Sequence, residues 1–294
     1  MLSIEPQAGP APIIQVIQEA RREVSVGVYY LSDRPILSAL RAAHARGVDV
    51  RVIIEGKPYG MRPWQVQKEE RKIQAIGAQL QLAPARFTSH GGKYAFYHAK
   101  YVCNGHECEI GTANFDWSAF HKNREYLYVT QNPAVVSAAN AVFNADWSNH
   151  RAPAFAHRVL VLSPGTSARQ LLEVINQPGP IDVESEELGP YAPILDAMAA
   201  KGADLRLILP ASINAQDRKD VAFLRQHDCQ VRLLPKKPIY MHAKMIVGNQ
   251  LAFVGSENFT ETSLEKNREM GLVLNGSDIA TLQAQFEKDW ALAR

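Results

Sequence analysis

The chain has 294 residues, 46% of them hydrophobic and 21% charged, an ordinary globular composition long enough to bury more than one core. Its 32 basic residues face 30 acidic ones, a formal charge of +2 that excludes a strong global field for polyanions, so any anion affinity has to be local. No stretch approaches the ~20 apolar residues of a membrane-spanning helix. The N-terminal MLSIEPQAGPAP also lacks the basic start and apolar run of a signal peptide. The expectation is a cytoplasmic protein, or a periplasmic or secreted one after removal of a leader.

Taken in chain order, VSVGVYYL (24–31) reads as a strand by its alternation and β-branched content. PILSALRAAHARGVDVRVIIE then reads as a helix, a stop at Gly47 and an apolar strand. KPYGMRPW (57–64) forms a loop into a further helix-like stretch. Next comes YHAKYVCNGHECEIGTANF, a β-hairpin turning at Asn104-Gly105. Cys103 and Cys108 face each other across that turn, and two ordinary thiols are expected there rather than a bridge. With His106 between them they resemble a zinc fragment, but no second Cys/His cluster completes four ligands, so no metal is expected. A closing helix ends at Asp146-Trp147, expected to be packing anchors.

After NHRAPAFAH the order repeats. IDVESEEL (181–188) is a strand, PILDAMAAKGADLRLILP a helix with a stop at Gly202 and a strand, and a second hairpin turns at Gly248-Asn249. The chain closes with Asp289-Trp290. Strands separated by helices imply an α/β fold. The expected architecture is an α-β-α sandwich of two similar halves, 1–152 and 153–294, with mixed sheets flanked by helices and related by a pseudo-twofold axis.

The repeat is strictest where side chains carry chemistry. His98 and His242 lie 144 residues apart, as do Lys100 and Lys244, Asn114 and Asn258, and Glu125 and Glu269. Lys-Asn-Arg-Glu recurs intact. On a strand, His and Lys two apart share a face, and the returning strand ends beside them at Thr112-Ala113-Asn114 or Ser256-Glu257-Asn258. If the halves meet about their axis, two imidazoles, two ammonium groups, two carboxamides and two hydroxyls surround one point. One imidazole can attack phosphorus while the other protonates the leaving oxygen. Lys100, Lys244, Asn114 and Asn258 can stabilise charge on the other oxygens. Glu125 and Glu269 can orient a histidine. Arg124 and Arg268 are expected to be structural.

Two copies of His-x-Lys followed by Gly-Ser/Thr-x-Asn resemble the signature of the phospholipase D superfamily, and the flanking segments extend the resemblance over nearly the whole chain. It implies a metal-independent phosphodiesterase without cofactor, working through a phosphohistidine. By analogy His98 is the nucleophile and His242 the general acid, although the residues fit the reverse equally well. One departure stands out: the Asp usual five positions after Lys is replaced by Gly105 and Asn249, which puts turn geometry in question more than chemistry.

Substrate identity is set by loops rather than by the motif. Lys57, Arg62, Trp64, Arg86 and Lys93, with Lys236, Lys237 and Tyr240, combine basic and aromatic side chains in the way single-stranded nucleic acid requires. Thr112, Ser256, Lys93, Tyr240 and Trp117 are therefore the candidate substrate contacts. A nuclease on single-stranded nucleic acid is the expected function, acting as a monomer with no obligatory protein partner. The alternative is a phospholipase D or phosphatidyl transferase acting on phospholipid. Glu184, Glu186 and Glu187 have no evident role next to a phosphodiester.

Overall fold

The computed structural model describes residues 1–294. The first half contributes β1 (Leu2–Ile4), β2 (Glu23–Val28), β3 (Asp49–Ile54), β4 (Gln79–Leu82), β5 (Lys100–Cys103), β6 (Cys108–Gly111), β7 (Asn123–Arg124) and β8 (Tyr126–Thr130). The second contributes β9 (Val161–Ser163), β10 (Ile181–Ser185), β11 (Leu205–Pro210), β12 (Gln230–Leu234), β13 (Tyr240–Met241), β14 (Lys244–Val247), β15 (Ala252–Gly255) and β16 (Glu269–Leu274). Two seven-stranded sheets result, ordered β1-β8-β6-β5-β2-β3-β4 and β9-β16-β15-β14-β10-β11-β12. Strand for strand they are the same sheet.

Each sheet is parallel on one side and antiparallel on the other. The parallel side follows from helical crossovers. Helix Arg34–Ala45 is capped by Asp33, whose side chain accepts from the Ile36 amide at 3.0 Å. It buries Ile36, Leu40 and Ala43 at helical spacing. Gly47 and Gly202, the two expected helix stops, have φ of 83° and 54°, conformations that favour glycine. The short edge strands β1 and β9 were not anticipated, because three residues are too few for alternation to register.

Three cores form. One lies under the outer helices of each half, around Ile13, Ile36, Leu40 and Phe115 and around Leu171, Ile194, Leu205 and Phe259. The third lies between the sheets and takes Tyr97, Tyr101, Tyr126 and Phe143 from the first half and Met241, Met245, Leu272 and Phe286 from the second. The closing helices, Pro133–Trp147 and Ser277–Leu292, contribute to this shared core.

The halves are also stitched by reciprocal polar contacts. β7 pairs in parallel with β13 of the other half, and Tyr97 bridges to Arg268 in the matching place. Arg124 donates to both Asp289 carboxylate oxygens at 2.6 and 2.9 Å. Arg268 does the same to Asp146 at 2.8 and 3.0 Å, where Arg86 joins it. The anchoring in Asp-Trp therefore comes as much from the buried aspartate as from the tryptophan. Trp147 and Trp290 stack on Phe143 and Phe286 of their own helices.

The expectation of two ordinary thiols at Cys103 and Cys108 is overturned: they form a disulfide. They are direct partners in the β5–β6 register with Cα atoms 4.1 Å apart, so the strand pairing itself brings the sulfurs together. Thiol labelling of the unreduced, denatured protein should modify Cys229 alone, and reduction should expose two more sites; three labels without reduction would disprove the bridge. Arg124→Ala would leave Asp289 buried without its cation and should cost about 3–5 kcal/mol in urea unfolding. Arg169→Ala, which removes an exposed pair with Glu173, should cost less than about 0.5 kcal/mol.

Candidate active site

The two histidines stand just ahead of their strands rather than within them. Residues 97 and 241 pair with the opposite half, and sheet pairing within the half resumes only at Lys100 and Lys244. The His98 amide donates to the Arg268 carbonyl at 2.8 Å. Each imidazole is thereby carried to the seam, and each is met there by a glutamate of the other half. His98 Nδ1 lies 2.9 and 3.1 Å from the two Glu269 oxygens. His242 Nδ1 lies 2.6 Å from Glu125 Oε1.

These glutamates are buried and held in turn. Asn267 Nδ2 and Ser263 Oγ donate to Glu269 at 2.9 and 2.7 Å. Asn123 Nδ2 and Thr112 Oγ1 donate to Glu125 at 3.1 and 2.6 Å. Burial alone would raise the Glu269 carboxyl, but the His98 imidazole and Lys100 hold it below the usual carboxylate range. Burial holds His98 below the ordinary imidazole value against the pull of Glu269. A neutral His98 with its proton on Nδ1 would donate to Glu269 and leave Nε2 with its lone pair. Asn123, Asn267 and Ser263 were missed as site residues, although the asparagines lie within the repeated Lys-Asn-Arg-Glu.

Lys100 and Lys244 are buried behind the histidines. Each ammonium donates to the carbonyl of the histidine two residues earlier, so the lysines act on the site through their field. Burial drives Lys100 down to about 7, with Glu269 pulling it up and Lys244 opposing. Lys244 also donates to Glu186 Oε2 at 2.8 Å.

The histidines open into a cavity of about 670 Å³. Tyr29, Tyr59, Tyr94 and Phe96 line one side, Tyr240, Ser212 and Asn214 another, and Asn114 and Asn258 stand near the histidines. The Oδ1 atoms of both asparagines are buried without a protein partner. Of the charged residues, only Glu186, Glu187 and Asp217 join the histidines on the wall.

Several expected contacts lie elsewhere. Thr112 and Ser256 are fully buried; Thr112 is engaged with Glu125, and the Ser256 hydroxyl accepts from the Met270 amide at 2.9 Å. They build the site without facing the cavity. Lys93 donates to the Arg86 carbonyl, and Trp117 is exposed and stacked on His121; neither lines the cavity. Tyr240 does. Lys57, Arg62, Arg86, Lys236 and Lys237 do not. Glu184 lies in the shared core and accepts from the Tyr126 hydroxyl at 2.8 Å, a structural role.

A family model described as cardiolipin synthase, PLD-like domain, matches residues 13–147 and 187–290. Cardiolipin synthase of Clostridium perfringens is 28% identical over 135 residues, 45% of this chain and 26% of that one. Cardiolipin synthase A of Pseudomonas aeruginosa is 27% identical over 139 residues, 46% and 26% of the two chains. The matched part of the chain spans about a quarter of the length of these relatives. Phosphatidylserine synthase of Haemophilus influenzae shares the fold with a TM-score of 0.70 at 12% identity, covering 100% of this chain and 87% of that one. Polyphosphate kinase of Porphyromonas gingivalis shares it with a TM-score of 0.70 at 14% identity, covering 98% and 49%.

The crossed pairing has a direct spectroscopic consequence. Glu269→Gln should move the ring-nitrogen resonances of His98 and leave those of His242 nearly in place, and Glu125→Gln should do the reverse. Same-half pairing would give the opposite pattern.

Proposed function

The chain belongs to the phospholipase D superfamily, in its cardiolipin synthase PLD-like family, and from this premise we propose that it cleaves or transfers the phosphodiester of a phospholipid headgroup through a phosphohistidine. The observation carrying the reaction is the facing pair of carboxylate-oriented imidazoles on one cavity. In the first step one Nε2 lone pair forms a P–N bond, the P–O bond to the leaving alcohol breaks, and the second imidazole gives that oxygen its proton. Water or an acceptor alcohol then attacks phosphorus, yields its proton to the second imidazole and releases the first. Lys100 and Lys244 offset the phosphoryl charge from behind, so the chemistry asks for no metal ion.

The cavity wall favours lipid over nucleic acid, reversing the weighting drawn from sequence. One phosphodiester charge suits two buried ammonium groups. A nucleic-acid backbone would bring further phosphates against Glu187 and Asp217 with no lysine or arginine on the wall to meet them. The relatives named as cardiolipin synthases and the phosphatidylserine synthase fold point the same way.

Vesicles of phosphatidylglycerol and of phosphatidylcholine, assayed in excess EDTA beside labelled single-stranded DNA, test this reading. Lipid headgroup release or exchange is expected, with His98→Ala losing at least about 10³-fold. Cleavage of DNA with the lipids untouched would return the assignment to a nuclease, and loss of all activity in EDTA would contradict the histidine mechanism. Because burial lowers the His98 pKa, the neutral nucleophile persists as pH falls. The acid limb of kcat/KM should therefore lie below about 6.5, and a limb above that value would show that another group governs attack.

A further inference from the structure

The two histidines are equivalent by sequence repeat but not by surroundings. At corresponding places just past the ends of β2 and β10 the first half carries Tyr29 and the second Glu186. The Tyr29 ring lies edge-on to His98 with centroids 5.0 Å apart, and its hydroxyl accepts from the Tyr59 amide. The hydroxyl makes no hydrogen bond to His98, whose side chain is bonded to Glu269. Glu186 instead places Oε2 3.2 Å from His242 Nε2.

His242 consequently has a carboxylate at each ring nitrogen, Glu125 at Nδ1 and Glu186 at Nε2. Both contacts lie at ion-pair distance, so a protonated ring is attracted to a carboxylate on each side, whereas a neutral ring has a single N–H to offer the two. His98 has a carboxylate at Nδ1 alone and keeps a lone pair at Nε2.

We propose that Glu186 is a positioning residue that breaks the symmetry of the site, holding His242 as the imidazolium that protonates the leaving oxygen and leaving His98 as the nucleophile. The division of labour rests on the reading of the site as a two-step phosphoryl-transfer centre. The charged groups facing His242 are Glu125 from the opposite half, Glu186 and Glu187 beyond β10, and Lys244 on its own strand. Lys244, with its ammonium 3.4 Å from Nδ1 and 2.8 Å from Glu186, opposes the imidazolium while keeping Glu186 ionised. Burial would raise the Glu186 carboxyl, but His242 and Lys244 together hold it down at about 2. Glu186 therefore stays an anion across the working range and neither gains nor loses a proton in the cycle. In the first step the His242 Nε2 proton leaves Glu186 for the leaving-group oxygen. In the second, the proton of the attacking water or alcohol restores it.

The test compares wild type with Glu186→Gln and Glu186→Asp. In nitrogen-15 spectra without substrate at neutral pH, wild type should show two N–H groups on His242 and one on His98. Glu186→Gln should reduce His242 to one N–H at that pH. Where turnover is measured, Glu186→Gln should lower kcat about tenfold or more, change KM little and move the basic limb of the kcat profile to lower pH. Glu186→Asp should recover part of both effects. An acid-labile phosphoryl adduct trapped during turnover should map to His98. A single N–H on His242 in wild type, an adduct on His242, or an unchanged pH profile in a Glu186→Gln protein with wild-type urea stability would each overturn the assignment. The spectra need no substrate, so inactivity toward every phosphodiester would refute the functional reading while leaving this test decisive.

Discussion

Each imidazole at the seam is met by a carboxylate that reaches it from the other half of the molecule, and much of the structure is arranged to make that crossing possible. Tyr97 and Met241 pair with the opposite Lys-Asn-Arg-Glu segment instead of their own sheet. This draws His98 and His242 to the seam. Arg124 and Arg268, in the same segments, are fixed to aspartates on the opposite closing helices. Loss of one partner from such a buried pair leaves an uncompensated charge, so the halves are locked in one register. A site built this way cannot form from either half alone, and small relative movement of the halves would separate each histidine from its glutamate.

Polar burial at the seam has chemical consequences. Two lysines, two glutamates and two histidines share a region largely removed from water, where interactions between charges are strong and desolvation is costly. Lys100 responds by falling to about 7, whereas Glu269 remains ionised because His98 and Lys100 stand beside it. The result is a buried set of paired charges around the histidines and an acidic, tyrosine-rich wall in front. Under the proposed function, this wall would disfavour a chain of phosphates by repulsion.

Much of this was legible in the sequence because the repeat reports it twice. The α/β architecture, the helix stops at Gly47 and Gly202 and the convergence of His98, Lys100, Asn114 and Glu125 with their counterparts all follow from residues recurring at a fixed offset. A repeat cannot say which partner is chosen across the interface: Glu125 was recognised as able to orient a histidine, but that the histidine is His242 is a tertiary fact. Nor does residue type reveal direction. Thr112 and Ser256 face inward because their hydroxyls have buried partners, and Lys57, Arg86 and Lys93 bond to carbonyls and carboxylates away from the cavity. Glu184, Glu186 and Glu187 looked alike along the chain, yet Glu184 and Glu186, two apart on one face, differ in depth: the first accepts from Tyr126 in the shared core and the second, past the end of β10, stands beside His242. The Cys103–Cys108 bridge was misjudged because composition speaks to compartment, while strand register speaks to distance.

The central claim is that one imidazole takes the phosphoryl group and then yields it to the acceptor while the other moves the protons, and its most direct test is stereochemical. A phospholipid phosphorothioate of single configuration at phosphorus would be turned over in oxygen-labelled water or with an acceptor alcohol and the product configuration determined. Two successive in-line displacements through a phosphohistidine predict overall retention. Inversion would mean that the acceptor attacks phosphorus directly, and would contradict the account.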